Sequence, residues 1–146
     1  MLGIRYVRTF PRVQSNHVII GVLKTSNGMQ YNIKGTGVQI TPELRDYLEK
    51  RLRSLDKFAN ADARVDIELG YQASQEKMYR AEFMFYEPGL HAPLRAQGRG
   101  GALHEAIDLA EAELFRELTR VKKKRLHLLR RSAARVKEYL RGWTGR

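Results

Sequence analysis

The chain has 146 residues, 42 % of them hydrophobic, which is room for one domain of ordinary size with a real core. It contains no cysteine, which excludes disulfide scaffolds, thiol nucleophiles and thiolate metal sites together and is compatible with a reducing cytoplasm. The net charge of +11 is unevenly placed: residues 116–146 hold 12 Lys and Arg against Glu117 and Glu138, while over residues 1–115 15 basic residues face 14 acidic ones. Charge concentrated in this way marks an electrostatic footprint for nucleic acid or an anionic membrane surface.

Residues 1–28 carry four basic and no acidic residues and one apolar run, Val18–Leu23, too short to span a bilayer or to form a secretory core. They are expected to be a flexible upstream extension with little fixed structure, the folded pattern beginning at Met29. From Gln30 to Thr36, Tyr31 and Ile33 alternate with Gln30, Asn32 and Lys34, as a half-buried strand requires, and Gly35 and Gly37 end it. Thr41 then stands as an N-cap before Pro42, and Leu44, Tyr47, Leu48, Leu52, Leu55 and Phe58 form one stripe of a helix ending near Asn60. Lys50, Arg53 and Lys57 share its opposite face with Asp46 and Glu49, a pattern that a solvated surface also produces.

Ala63–Tyr71 reads as a second strand with Val65, Ile67, Leu69 and Tyr71 inward. Gln72–Lys77 is a loop, and Ala81, Phe83 and Phe85 mark a third strand joined to the second as a hairpin. Leu90, Ala92, Leu94 and Ala96 suggest a short or bulged fourth strand, at an edge because Pro93 cannot donate to a ladder. Gln97–Gly101 is expected to be the turn into a long helix from Ala102 to Arg131. On that helix Leu103, Ile107, Ala110, Leu114, Leu118 and Val121 form the buried stripe, and Arg116, Arg120, Lys123 and His127 another face. The order βαβββα, with one apolar face per strand and two amphipathic helices to cover it, predicts an α+β two-layer sandwich: a four-stranded sheet with both helices on one face.

A helix of about 28 residues is roughly 42 Å long, against about 27 Å for an eight-residue strand, so Lys122–Arg131 is expected to overhang the sheet. An overhang of Lys and Arg repels itself unless a polyanion lies against it, and RNA is the partner so inferred. From Leu118 to Trp143 the same segment could also be a surface-seeking amphipathic helix. A rigid helix held on a domain suits phosphates in register better than a membrane, which is the less favoured partner.

No enzyme site stands out. His17, His91, His104 and His127 are scattered without ligand spacing, and Glu111 and Glu113 point to different helix faces. The glycines of GRGG at 98–101 precede a helix, where phosphate can bind, but lack both G-x-G-x-x-G and a Walker lysine, so a flexible turn is the expectation. No metal, cofactor or small-molecule substrate is expected.

The segments MQYNIKGTGVQITPELRDYLEKRL, from Met29, and EAIDLAEAELFRELTRVKKKR, from Glu105, stand in order on this βαβββα string. They resemble the opening strand, the I-T-x-x-L-R turn with its basic helix, and the A-I-D…L-x-R-x-L-x-K-x-K-x-K ending of the ribosome hibernation-promoting factor family, also called ribosome-associated translation inhibitors. The resemblance covers about Met29 to Arg131. It implies a non-enzymatic, cytoplasmic protein of stressed or stationary-phase cells. Such a protein binds ribosomal RNA of the small subunit, alone or in the whole ribosome, fills the channel for messenger and transfer RNA, and is a monomer when free. Carried over by position, the RNA-contacting candidates are Lys50, Arg51, Arg53 and Lys57 on the first helix and Arg116, Arg120, Lys122, Lys123, Lys124 and Arg125 on the second. Arg51 lies near the buried stripe. Ala102 and His104 replace an Asp and a Tyr usual before A-I-D, and GRGG adds residues there. Three segments follow: an extension over 1–28, a ribosome-binding domain over 29–131, and a basic helical extension or tail over 132–146, the mark of a short-form member. Ribosome pairing and inactivation of single ribosomes both remain open. A general double-stranded RNA-binding module is the alternative function, and a nucleic-acid hydrolase a more distant one.

Overall fold

The computed structural model describes residues 17–25, 28–73, 76 and 78–144. Its elements are β1 (His17–Lys24), β2 (Gln30–Thr36), α1 (Pro42–Asp56), β3 (Arg64–Tyr71), β4 (Tyr79–Tyr86), β5 (Leu94–Gly100) and α2 (Leu103–Thr144). The five strands form one sheet in the order β1-β2-β3-β4-β5, with β2 and β3 parallel and every other pair antiparallel. The parallel pair requires a crossover, and α1 supplies it. The fold is α+β, as expected, but the sheet has five strands and not four.

The fifth strand is β1, in the segment expected to have little fixed structure. Val18–Leu23 is a continuous apolar run without alternation, yet its backbone pairs with β2 from His17↔Thr36 to Lys24↔Gln30, with a register shift between Ile20 and Leu23. Residues 1–16 and 26–27 of that segment lie outside the described residues, as do 74, 75 and 77 of the loop after β3 and 145–146 of the tail.

The chain forms two compact units, residues 1–115 and 116–146. In the first, the inward side chains of the sheet, Tyr31, Ile33, Val65, Ile67, Leu69, Ala81, Phe83, Phe85 and Ala96, are buried together with Leu44, Leu48, Leu52 and Leu55 of α1 and Ala106, Ile107, Ala110 and Leu114 of α2. Each large apolar side chain so buried contributes about 1.5–3 kcal/mol. Thr41 caps α1 by accepting from the Leu44 amide at 3.2 Å, with Pro42 in the first turn, and the helix stops at Asp56, earlier than the apolar stripe suggests. Phe58 lies beyond it, 37 % exposed, its ring edge-on to Phe115. Tyr71, read as inward, is exposed and rests on Tyr79.

The largest correction concerns Gln97–Gly101. This stretch is not a flexible turn: β5 begins only at Leu94 and runs through Gly98 to Gly100, pairing Ala81↔Gly98 and Tyr79↔Gly100 with β4. A Cβ built on Gly98 would stand 2.1 Å from the Ala106 carbonyl oxygen and 2.6 Å from the Ala110 amide nitrogen. Glycine is needed there because the α2 backbone lies directly on the strand. Glu105 reaches back to accept from the Gly101 amide at 2.9 Å, which ties the end of β5 to the first turn of the helix.

The second unit is the remainder of α2. The helix does not stop near Arg131 but continues unbroken to Thr144, 42 residues in all. Leu118 is buried; from Leu126 to Trp143 every residue is exposed.

Candidate nucleic-acid interface

The outer face of the sheet carries Lys34, Arg64, Arg80, Arg95 and Arg99 against Asp66, Glu68 and Glu82, and most of these charges stand in ion pairs. Glu68 and Glu82 stand opposite each other on β3 and β4, a destabilising juxtaposition on its own. Arg80 bridges them at 3.4 and 3.7 Å, Lys34 flanks Glu68 at 4.0 Å, and Arg95 closes the row on Glu82 at 2.9 Å, which holds its guanidinium above the usual range. Arg64 is paired with Asp66 at 3.2 Å and lies over the Tyr86 ring. Cations held in ion pairs offer a polyanion a weaker field than unpaired ones would.

The α1 candidates divide. Lys50, Arg53 and Lys57 are exposed at three- and four-residue steps and share one face. Arg51 does not join them. It points toward the first turns of α2, where its guanidinium meets Asp108 at 2.9 Å, Glu111 at 3.7 Å and the Tyr47 hydroxyl at 3.0 Å. The Tyr47 hydroxyl donates to Asp108, and Ser54 donates to Glu111 at 2.6 Å. Partial burial and the bond to Asp108 push the Tyr47 phenol above its ordinary pKa, while the Arg51 guanidinium is raised first by its bond to Tyr47. His104 packs edge-on against the Tyr47 ring. Arg51 therefore serves as a pin between the helices.

On α2, Arg116, Arg120, Lys123 and Lys124 are exposed on one face; Lys122 and Arg125 are half-buried on the others. Arg120 lies 2.6 Å from Glu117, one turn back, an exposed pair that holds its side chain along the helix at small energetic gain. The face continues through His127, Arg130, Arg131 and Arg141, all exposed. The three- and four-residue spacing that groups Arg116, Arg120 and Lys123 continues past residue 130, beyond the candidates named from the sequence. Within the second unit the result is a stripe of cations along one side of a single helix, the arrangement that phosphate contacts reward. Among the described residues, no group of three or more His, Asp and Glu could hold a metal ion, and no helix is long and apolar enough to cross a membrane.

Residues 31–126 match the family model described as Sigma 54 modulation protein / S30EA ribosomal protein. The chain belongs to that family. Its S30EA relatives include the ribosome hibernation promoting factor of Pseudomonas putida, 30 % identical over 107 residues, which are 73 % of this chain and all of that protein. The ribosome hibernation promotion factor of Bacillus subtilis is 27 % identical over 96 residues, 66 % of this chain and 50 % of that one. This S30EA chain spans about half the length of the first curated relatives it matches. Among solved structures, the Thermus thermophilus Protein Y N-terminal domain superposes with a TM-score of 0.53 at 27 % identity, covering 68 % of this chain and 99 % of that one. A ribosomal subunit interface protein from Coxiella burnetii, at 21 % identity and a TM-score of 0.52, covering 65 % and 97 %, shares the fold.

Proposed function

We propose that this chain is a ribosome hibernation factor that binds ribosomal RNA in the messenger and transfer RNA channel of the small subunit and inhibits translation by occupying it. On this reading it acts in the cytoplasm of idle or stressed cells, is a monomer when free, and is not an enzyme. The observation that carries the reading is the exposed cationic face of α2, from Arg116 through Lys123 and Lys124, in a chain of the S30EA family. Lys50, Arg53 and Lys57 on α1 are the second group of proposed contacts. Recognition is by charge and shape, with Lys and Arg on phosphates fixing position. Arg51 contributes by holding α1 against the start of α2.

The test is sedimentation of the protein with ribosomes across a salt series. Six phosphate contacts lower affinity by about a thousandfold between 50 and 200 mM salt. Co-migration with the small subunit that weakens at this rate is expected. Reversal of Arg116, Arg120 and Lys123 to Glu should abolish it while leaving the circular dichroism spectrum unchanged. Normal ribosome binding by that variant overturns the assignment, and equal affinity for naked duplex RNA would make the protein a general double-stranded RNA module instead.

A further inference from the structure

From Leu126 onward, the face of α2 turned away from Arg116, Arg120 and Lys123 is apolar. Leu126, Leu129, Ala133, Val136, Leu140 and Trp143 recur at alternating three- and four-residue steps. They fall on an arc of roughly 100° at 100° per residue. The large ones are 49–80 % exposed, Trp143 the most. The helix is continuous through them, so the seam is held in one geometry. This is the spacing of a helix that packs against another helix, each apolar residue a knob for a facing hole.

We propose that residues 126–143 form a docking seam for a helical segment of a partner protein that is apolar on one side and acidic at its flanks. The choice of occupant follows from charge and shape. Arg130 and Lys137 border one edge of the seam, one position beyond Leu129 and Val136, and residues 126–143 hold Arg130, Arg131, Arg135, Lys137 and Arg141 against Glu138 alone. A second copy would bring this same excess of positive charge alongside itself. Carboxylates on a partner's flanking positions would offset it and set the register. A lipid surface rewards total apolar area and is indifferent to spacing. Here Ala133 sits mid-seam between Leu126 and Leu140 with Ser132 beside it, which forgoes insertion area but lets another backbone approach closely. The seam adds a protein contact to the proposed RNA contact and does not depend on it, since its apolar residues lie away from Arg116, Arg120 and Lys123; of the cationic stripe, Arg130 alone reaches the border of the seam.

Trp143 is the only tryptophan, so its fluorescence reports the end of the seam directly. The full chain is titrated with a synthetic three-heptad peptide carrying Leu at its seam positions and Glu at both flanks. A saturable blue shift of Trp143 emission is expected, with association at least tenfold weaker for Leu129→Ser/Leu140→Ser and absent for a peptide with Lys in place of Glu. Three results overturn the proposal. One is no shift with the acidic peptide. Another is a shift that appears on raising the protein concentration alone, which would mean self-association. The third is a shift with phosphatidylglycerol vesicles or duplex RNA while the peptide gives none. The titration contains no ribosomes, so its failure is distinct from failure of the ribosome reading.

Discussion

Two glycines of the same strand have different jobs. At Gly98 the atoms a methyl group would meet are the Ala106 carbonyl and the Ala110 amide, both backbone of α2, so Gly98→Ala must move the helix or the strand. At Gly100 the nearest atom, 2.6 Å away, is the end of the Glu105 side chain, which can swing aside. Gly98→Ala is expected to cost about 3 kcal/mol or more, and Gly100→Ala about 1 kcal/mol or less, read as the shift in urea midpoint. Composition marks a run of glycines as a turn, and that is how Gln97–Gly101 reads in isolation. The clue that it continues the strand is its alternation: Ala96, Gly98 and Gly100 keep the two-residue period of a buried face whose side chains have shrunk to admit a helix. Arg51 shows the reverse case. Its type and place fit an RNA contact, while in the fold its guanidinium meets Asp108 and Glu111 from 57 or more positions along the chain; sequence carries no sign of that meeting.

Between elements, two phenols act as pins. The buried Tyr31 of β2 donates to Glu49 of α1, and Tyr47 of α1 donates to Asp108 of α2. Burial, and then the bond to a carboxylate, raises both above the ordinary value of 10.0. A phenol raised in this way holds its proton longer in the folded chain than in the unfolded one. Its contribution is therefore whole below pH 10 and is lost as the pH climbs through the raised value. Urea midpoints should be level from pH 8 to 9.5 and fall beyond pH 10, and the fall should flatten in Tyr31→Phe. The helices themselves were the most legible elements, because the N-cap Thr41, Pro42 and the leucine stripe are local signals. The far end of α2 was not: Ser132, Ala133 and Ala134 interrupt the charge pattern without interrupting the helix, and no residue before Gly142 opposes helical continuation strongly.

At the scale of the whole molecule, strand order and the single parallel pair follow from α1 standing between two strands, which the sequence displays. The edge that β1 occupies does not, because an unalternating apolar run with a glycine in it carries no period to read. Pairing with β2 is what gives it a strand's geometry. Its opposite number, β5, needs no cover: Pro93 stands before it and Arg95 and Arg99 face outward along it.

Met29 is a second possible place for a chain of this sequence to begin, and β1 determines what such a chain would be. Without His17–Lys24, the outer backbone amides and carbonyls of β2 lose their partners, and Gln30–Thr36 becomes a bare template. The same strand from another short chain would then be its nearest substitute, placed antiparallel as β1 is. Protein starting at Met29 is expected to elute from gel filtration as concentration-dependent dimers or larger species while the full chain does not, and a peptide of residues 15–26 added in excess should return it to a monomer. β1 would then act as an intramolecular chaperone, carried by the chain to keep its own edge from finding another.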